Sequence, residues 1–123
     1  MECVFCKIIN KELPSETVYE DKEMIVFKNI KPSAPIHLLI VPKKHILSVN
    51  HLDVEDRDLV GKMVLLSQKI ARDMKVAFPD DIEEAGYKLE FNVGRKGGQV
   101  IDHLHLHFLS GWEDKEEALK IIK

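Results

Sequence analysis

Cysteine, long apolar runs and an excess of charge of one sign are all scarce in this sequence, and each scarcity excludes a class of protein. The 123 residues include only two cysteines, too few for a disulfide framework. The longest strongly apolar stretch, residues 38–41, is far shorter than the roughly 18 residues of a membrane span. The acidic start Met1-Glu2 does not fit a secretory signal. We therefore expect a cytoplasmic protein without a membrane partner.

The charges are nearly balanced, with 18 basic against 21 acidic residues and a net charge of −3. Polymeric nucleic acids are bound through broad positive surfaces, so we expect no nucleic-acid polymer as a partner. Apolar residues make up 45% and charged residues 32%, a composition typical of globular proteins. Since no linker or repeat divides the chain, we expect a single domain over residues 1–123.

The hydrophobic pattern predicts an α+β fold, an antiparallel sheet with one long helix and short terminal helices. Residues 4–10 form the first short helix, and residues 113–123 a short helix or tail. Between them, strands 17–20 and 24–28 form a hairpin around the two-residue turn Asp21-Lys22, and a buried strand follows at 37–41. A helix then covers residues 53–78 and ends at the polar break 79–81. Strands 87–93 and 100–109 form a second hairpin, joined by the Gly-rich connection 94–99.

The most informative segment is residues 102–109, in which three histidines alternate strictly with large apolar residues. A period of two predicts a strand, with the imidazoles on one face, roughly 6.6 to 7 Å apart per pair, and the apolar residues in the core. The histidines are His103, His105 and His107, and the apolar residues are Leu104, Leu106 and Phe108.

The spacing of the three histidines argues against a single three-histidine zinc site. On one strand His103 and His107 lie roughly 13 Å apart at Cβ, whereas zinc needs its nitrogen ligands at about 2.1 Å. At least one imidazole is therefore left for other work. Neutral imidazole is a nucleophile, and phosphorus is a natural electrophile for it.

The two cysteines and two further histidines are weaker indications of function. Cys3 and Cys6 form a C-x-x-C pair, which is consistent with metal or redox use and also with two small buried hydrophobic residues. We assign no functional role to His37, which fits packing on a strand, or to His51, which fits a surface or helix-capping position.

Residues 97–109, GGQVIDHLHLHFL, resemble the signature His-φ-His-φ-His-φ-φ (φ, hydrophobic) of the histidine-triad (HIT) family, most closely its Hint branch. The resemblance extends upstream through VFCKII at 4–9, VYED at 18–21, AP at 34–35 and IVPKKH at 40–45. It thus covers nearly the whole chain to about Trp112.

The resemblance implies a homodimer that binds a purine, AMP-like nucleotide and hydrolyses a P–N or P–O bond at its α-phosphate, as in phosphoramidates or acyl-nucleotides, through a nucleotidyl-histidine intermediate. His105 matches the nucleophile, and His107 matches the partner that hydrogen-bonds and protonates the phosphate region. Asn92 and Gln99 match further phosphate-binding residues. The nucleoside pocket maps onto Val4, Phe5, Ile8, Phe27, Asn29 and Ile30.

A zinc site is also implied by the resemblance. Some bacterial relatives combine a C-x-x-C pair with two histidines, which in this chain are His45 and His103. Together with Cys3 and Cys6 they give a Cys₂His₂ set. Such a set closes a tetrahedron with no open position, so we expect a structural rather than a catalytic zinc.

Two departures from the family pattern keep alternatives open. Val100 replaces a common serine near the leaving group, and Asn29 replaces an aspartate that accepts the ribose hydroxyls. A non-catalytic nucleotide-binding module is therefore one alternative. Another is a dinucleoside polyphosphate hydrolase of the Fhit kind, although Ser110-Gly111 after the triad, in place of Pro-Arg, favours the Hint branch.

Overall fold

Five antiparallel strands form one sheet in a computed structural model that describes residues 3–77 and 85–119. The strands are β1 (Thr17–Glu20), β2 (Met24–Lys28), β3 (Ile36–Pro42), β4 (Tyr87–Glu90) and β5 (Leu106–Ser110), and their order across the sheet is β1-β2-β3-β5-β4. The helices are α1 (Val4–Ile9), α2 (Arg57–Asp73) and α3 (Lys115–Leu119), with short 3₁₀ turns at Val49–His51, Val54–Asp56 and Arg95–Gly97.

Each face of the sheet buries a separate apolar cluster. On one face α2 packs Met63, Leu66 and Ile70 against the strands, where Leu106 and Phe108 are almost fully buried. The other face is covered by α1, which packs Phe5 and Ile8 against Ile25, Phe27, Leu39 and Val41. Residue 104 also enters the α2 cluster, so the predicted core positions Leu104, Leu106 and Phe108 are confirmed. The odd-numbered residues of β5 therefore face the α1 side.

The sequence correctly predicted the α+β architecture and the strands of the first hairpin. The long helix, predicted from residue 53, begins at Arg57, because the residues after the Asp53 cap form the 3₁₀ turn Val54–Asp56. Asp53 and Asp56 form a capping box, in which each carboxylate accepts a hydrogen bond from the backbone N–H of the other residue. The predicted two-residue turn is wrong. Three residues separate β1 from β2, because the Asp21 carboxylate accepts hydrogen bonds from the N–H groups of Glu23 and Met24.

The last two strands and the long helix were predicted too long. The last strand begins at Leu106 rather than at residue 100, because the Leu104 N–H donates to the Ile46 carbonyl, outside the sheet. Its partner β4 ends at Glu90 rather than at residue 93. The long helix ends at Asp73, and Lys75 follows with φ of 61°. The predicted extension to residue 78, the break at 79–81 and the last residues of the C-terminal helix lie outside the described residues.

Within residues 3–77 and 85–119, none of the helices combines the length and the apolar character that crossing a membrane requires.

Candidate functional site

A cleft of about 680 Å³ opens on the α1 side of the sheet, at the end where α1 meets β3 and β5. This volume falls in the range of small-molecule sites. The cleft contains ten residues that the sequence analysis placed at the site, including all six of the predicted nucleoside pocket: Val4, Phe5, Ile8, Phe27, Asn29, Ile30, Asn92, Val100, His105 and His107. His37, to which the sequence analysis assigned no role, also lines it.

The backbone around His105 fixes which of its ring nitrogens carries the hydrogen. Its Nδ1 lies 2.7 Å from the main-chain carbonyl oxygen of His103, and a carbonyl oxygen only accepts, so Nδ1–H is the donor. Neutral His105 therefore keeps the lone pair on Nε2. The ring is buried and meets Phe5 edge-on, with centroids 5.1 Å apart. The result is an imidazole held in one tautomer at the wall of the cleft.

The same reasoning assigns the tautomer of His107, through His37. The Ser33 N–H donates to His37 Nδ1 over 2.9 Å, which leaves the hydrogen of neutral His37 on Nε2. That Nε2–H donates to His107 Nδ1 over 2.8 Å. Neutral His107 consequently carries its own hydrogen on Nε2, where it is a donor. The centroids of the His105 and His107 rings lie 5.0 Å apart, so a ring with an acceptor nitrogen and a ring with a donor nitrogen are neighbours.

Burial keeps these imidazoles neutral. Desolvation lowers the pKa of His105 below its ordinary value and outweighs the opposing effect of the carbonyl of His103. Burial also lowers the pKa of His37. For His107 burial, followed by the charges of His105 and His37, lowers the pKa to about 4. At neutral pH the pair is thus one imidazole with a free lone pair and one with an N–H to donate.

The Gly-rich loop is held by Gln99, which does not line the cleft. Its buried amide donates to the Leu47 and Ile101 carbonyls over 2.7 and 3.0 Å and accepts from the Gly94 N–H over 3.0 Å. The structure therefore brings Asn92 to the cleft, but it uses the Gln99 side chain to shape the loop. Asn92 itself donates to the Gly97 carbonyl over 2.8 Å.

The two residues that depart from the family pattern both line the cleft. Val100 is 77% exposed, an apolar surface where a hydroxyl would have offered a hydrogen bond. Asn29 accepts from the Lys31 N–H over 2.9 Å, and its amide nitrogen lies 3.3 Å from His37 Nε2. The side-chain oxygen of Asn29 is therefore engaged within the protein, whereas its amide nitrogen faces a His37 Nε2 that already carries a hydrogen.

The first histidine of the triad belongs to a group of four side chains that could hold a metal ion, Cys3, Cys6, His45 and His103. Their ligand atoms all lie within 4.8 Å of one another. His103 Nδ1 lies 3.0 Å from His45 Nδ1, 3.4 Å from Cys3 Sγ and 3.6 Å from Cys6 Sγ. Tetrahedral zinc with ordinary bond lengths places such ligand atoms about 3.4 to 3.8 Å apart. The residues present therefore fit a closed tetrahedral site.

The donor chemistry of this group agrees with its spacing. His103 Nε2–H donates to the Pro42 carbonyl over 2.8 Å, so its Nδ1 presents a lone pair to His45 and the two sulfurs. Burial, followed by the neighbouring Cys3 sulfur, raises the pKa of the Cys6 thiol to about 11. A bound cation would displace that proton and stabilise the thiolate.

His37 is the site residue that sequence reasoning missed, since packing on a strand was its expected role. It is buried, on β3, and its bond to His107 joins residues 70 positions apart. The available signal was a polar side chain inside an otherwise apolar buried strand, which requires a hydrogen-bonding partner.

A family model described as "Scavenger mRNA decapping enzyme C-term binding" matches residues 2–120 of the chain. Among curated proteins, "Protein HitA" of Neisseria gonorrhoeae is 45% identical over 107 residues, which cover 87% of this chain and 94% of that protein. The "Purine nucleoside phosphoramidase" of Escherichia coli K12 is 40% identical over 110 residues, which cover 89% and 87% respectively.

The chain is also similar to solved structures of histidine-triad proteins. A HIT family hydrolase from Legionella pneumophila Philadelphia 1 superposes with a TM-score of 0.83 at 41% identity, over 90% of this chain and 94% of the other. A Zn-bound histidine triad family protein from Mycobacterium smegmatis superposes with a TM-score of 0.75 at 29% identity, over 91% and 76%.

Proposed function

This chain belongs to the histidine-triad (HIT) family, and on that premise we propose that it is a hydrolase of purine nucleoside phosphoramidates that works through a nucleotidyl-histidine intermediate. The similarity to a purine nucleoside phosphoramidase supports this substrate class. One observation carries the proposal. His105 is buried at the cleft with Nδ1–H donated to the His103 carbonyl, which leaves Nε2 as a nucleophile.

In the first step His105 Nε2 attacks the α-phosphorus and forms an N–P bond, while the P–N bond to the leaving amine breaks. The departing nitrogen needs a proton. Solvent supplies it, because neutral His107 has a hydrogen only on Nε2 and would become an imidazolate if it lost that hydrogen. His107 donates a hydrogen bond from Nε2 to the departing nitrogen, and His37 holds His107 in that tautomer by donating to Nδ1. In the second step water attacks phosphorus, the P–N bond to His105 breaks, and one proton of that water returns to solvent as the nucleoside monophosphate is released. The net change is one water consumed and one amine released.

The nucleoside would lie against the apolar wall made by α1 and β2. The Phe5 ring contacts both Phe27, with centroids 5.4 Å apart, and His105. A base placed against Val4, Phe5 and Ile8 would therefore put its 5′-phosphate beside the nucleophile. Asn92 is placed to contact the phosphate from the loop side, and the remaining nucleoside-pocket positions, Phe27, Asn29 and Ile30, line the same cleft.

Cys3, Cys6, His45 and His103 would hold a structural Zn²⁺, as their spacing and donor atoms support. When bound, the ion supplies charge compensation for two thiolates and a fixed orientation for the His103 ring, with no open position for a reactant.

The test is hydrolysis of adenosine 5′-phosphoramidate by the wild-type protein and by His105→Asn. We expect turnover by the wild type, loss of at least about a thousandfold in kcat/KM in the variant, and an adenylyl adduct on His105 in His107→Gln. His51→Asn, which changes an exposed histidine outside the cleft, serves as the control. Equal inactivity of wild type and His105→Asn contradicts the proposal.

The same assay separates the alternatives. Faster cleavage of diadenosine polyphosphates than of the phosphoramidate would indicate the Fhit-like activity. Tight AMP binding by calorimetry with no turnover and no adduct would indicate a binding module.

The homodimer, the cytoplasmic location and the single domain over residues 1–123 stay predictions. Val64 and Leu65 are 45% and 65% exposed on the outer side of α2, a feature that supports a second copy packing there. Light scattering during gel filtration would measure the subunit number directly, and a monomer at micromolar concentration would contradict the dimer.

A further inference from the structure

Four side chains form one straight row across the cleft face of the sheet. In the strand register Phe27 lies opposite Leu39, Leu39 opposite His107, and His107 opposite Glu90. Residues directly opposite each other on neighbouring strands project from the same face. The row therefore runs from an aromatic residue on β2, through the triad on β5, to a carboxylate on β4 at the far edge of the sheet.

The row also gives the cleft a direction. Three strand spacings separate Phe27 from Glu90, roughly 14 Å in all. The proposed nucleoside wall of Phe5 and Phe27 is at one end, and His107 is next to last in the row. A substrate with its base on that wall and its phosphorus at the histidines directs its remaining substituent, the leaving group, toward Glu90. Both Glu90 and the two histidines line the same cleft.

The Glu90 carboxylate has no ion-pair partner among the described residues. The cleft's other acid, Glu16, lies at the nucleoside end and pairs with Lys28 over 3.1 Å. Lys88, two residues before Glu90 on the same face, is engaged elsewhere, since its Nζ donates to the Ala118 carbonyl and lies 5.1 Å from the centre of the Trp112 ring.

The charge of Glu90 reaches His37, the hydrogen-bond donor to His107. It favours the protonated form of His37, although burial dominates and lowers the pKa of that residue. A fixed negative charge beside a phosphate site repels a substrate that carries further phosphates and attracts one with a cationic substituent. A carboxylate at this position is therefore unfavourable for binding polyphosphates and favourable for a leaving group with an ammonium.

We propose that Glu90 is the specificity-determining residue for the leaving group, and that it selects phosphoramidates whose departing amine carries a second, positively charged group, such as a diamine or a basic amino acid. The inference rests on the proposed phosphoramidase function and names the substrate class of that same site. It also predicts that a dinucleoside polyphosphate is a poor substrate, since its leaving group brings two or more negative charges to Glu90.

Three substrates of equal length test the proposal: adenosine 5′-phosphoramidates of 1,5-diaminopentane, n-pentylamine and 5-aminopentanoate. They share the nucleoside and the reacting bond, and their distal ends are cationic, neutral and anionic. For the wild type we expect kcat/KM to fall in that order. An exposed unit charge several ångströms away changes it by about three- to tenfold per step at low salt.

Glu90→Gln removes the charge at nearly constant shape, and we expect it to compress the three values to within about twofold of one another. Glu90→Lys reverses the preference. Glu16→Gln removes the paired carboxylate at the other end of the cleft and leaves the order of preference unchanged. Raising the ionic strength weakens the wild-type preference, because the charge is exposed to solvent.

The outcomes separate this inference from the function on which it rests. No turnover of any of the three substrates overturns the proposed function and this inference with it. Turnover of all three, with Glu90→Gln changing each by the same factor, overturns the inference alone, because a residue that only positions His37 or His107 affects all leaving groups equally. Thermal unfolding of each variant identifies any loss that comes from misfolding.

Discussion

The Nδ1 atom of His105 lies 2.7 Å from the main-chain carbonyl oxygen of His103, while the ring of His103 lies in the Cys₂His₂ group. One residue thus provides a metal-type ligand through its side chain and fixes the tautomer of the proposed nucleophile through its backbone. A displacement of the His103 backbone would move both the ring and the carbonyl that orients His105. This relationship couples the candidate metal site to the candidate active site.

Removing the metal is therefore expected to lower both stability and activity. We expect one equivalent of zinc in the purified protein and its loss in Cys6→Ser, with a lower Tm and a lower kcat/KM on the phosphoramidate. Free zinc at a hundred times its Kd stabilises a site by about 2.7 kcal/mol. Elemental analysis and thermal unfolding provide the measurement. His51→Asn should keep its metal, and a chelated protein with unchanged Tm would refute the structural site.

His37 is expected to act on the reaction through His107. His37→Phe keeps a ring of similar size and removes the donor to His107 Nδ1. Losing that hydrogen bond should cost about tenfold in kcat/KM. His37→Gln, whose amide nitrogen can occupy the position of the lost Nε2, should recover part of the activity. Nitrogen NMR should show the His107 hydrogen leaving Nε2 in the Phe variant, and an unchanged tautomer would argue against this role.

Two adjacent glycines of the Gly-rich loop should respond differently to alanine. Gly98 has φ of 88°, and a Cβ there would lie 3.2 Å from the amide nitrogen of Asn92. Gly98→Ala should lower the free energy of unfolding by about 1 to 2 kcal/mol and reduce kcat/KM by displacing Asn92. Gly97→Ala meets nothing within 4 Å and serves as the matched control. Denaturant unfolding measures the free energy of unfolding of both variants, and an equal loss in the two would contradict the strain argument.

Stability should fall as the pH drops from 7 to 5. The pKa of His107 is about 4 in the folded protein and about 6.5 when the chain is unfolded, so the unfolded state takes up the proton first. The contribution of His107 is fully present above the unfolded value and is lost as the pH falls toward the folded one. From pH 7 to pH 5 the loss is about 2 kcal/mol. Denaturant unfolding of the wild type and His107→Gln should show a smaller pH dependence in the variant, and identical slopes would contradict the low pKa.

Much of the framework was predictable from the sequence because it depends on short-range pattern. Strict alternation over residues 103–108 identified the apolar residues that enter the core, and Asp53 with Asp56 marked the helix start. The similarity of the chain to the HIT family supplied the six nucleoside-pocket positions, all of which line the cleft.

Other features depended on where distant segments meet. The strand boundary at Leu106 is set by the bond from the Leu104 N–H to Ile46, which no local pattern shows. Gln99 carries the right side chain for a phosphate contact, yet three backbone groups of neighbouring loops already occupy its amide. Glu90 had no assigned role until the register placed it opposite His107.

The sequence by itself determined the chemistry available to this protein, alternating imidazoles and a C-x-x-C pair, since residue type and period are local properties. Only the tertiary structure decided what each imidazole does. In a neutral histidine, the group that hydrogen-bonds to one ring nitrogen determines whether the other ring nitrogen is a donor or has a free lone pair. Those groups are the His103 carbonyl for His105 and, 70 positions away along the chain, His37 for His107.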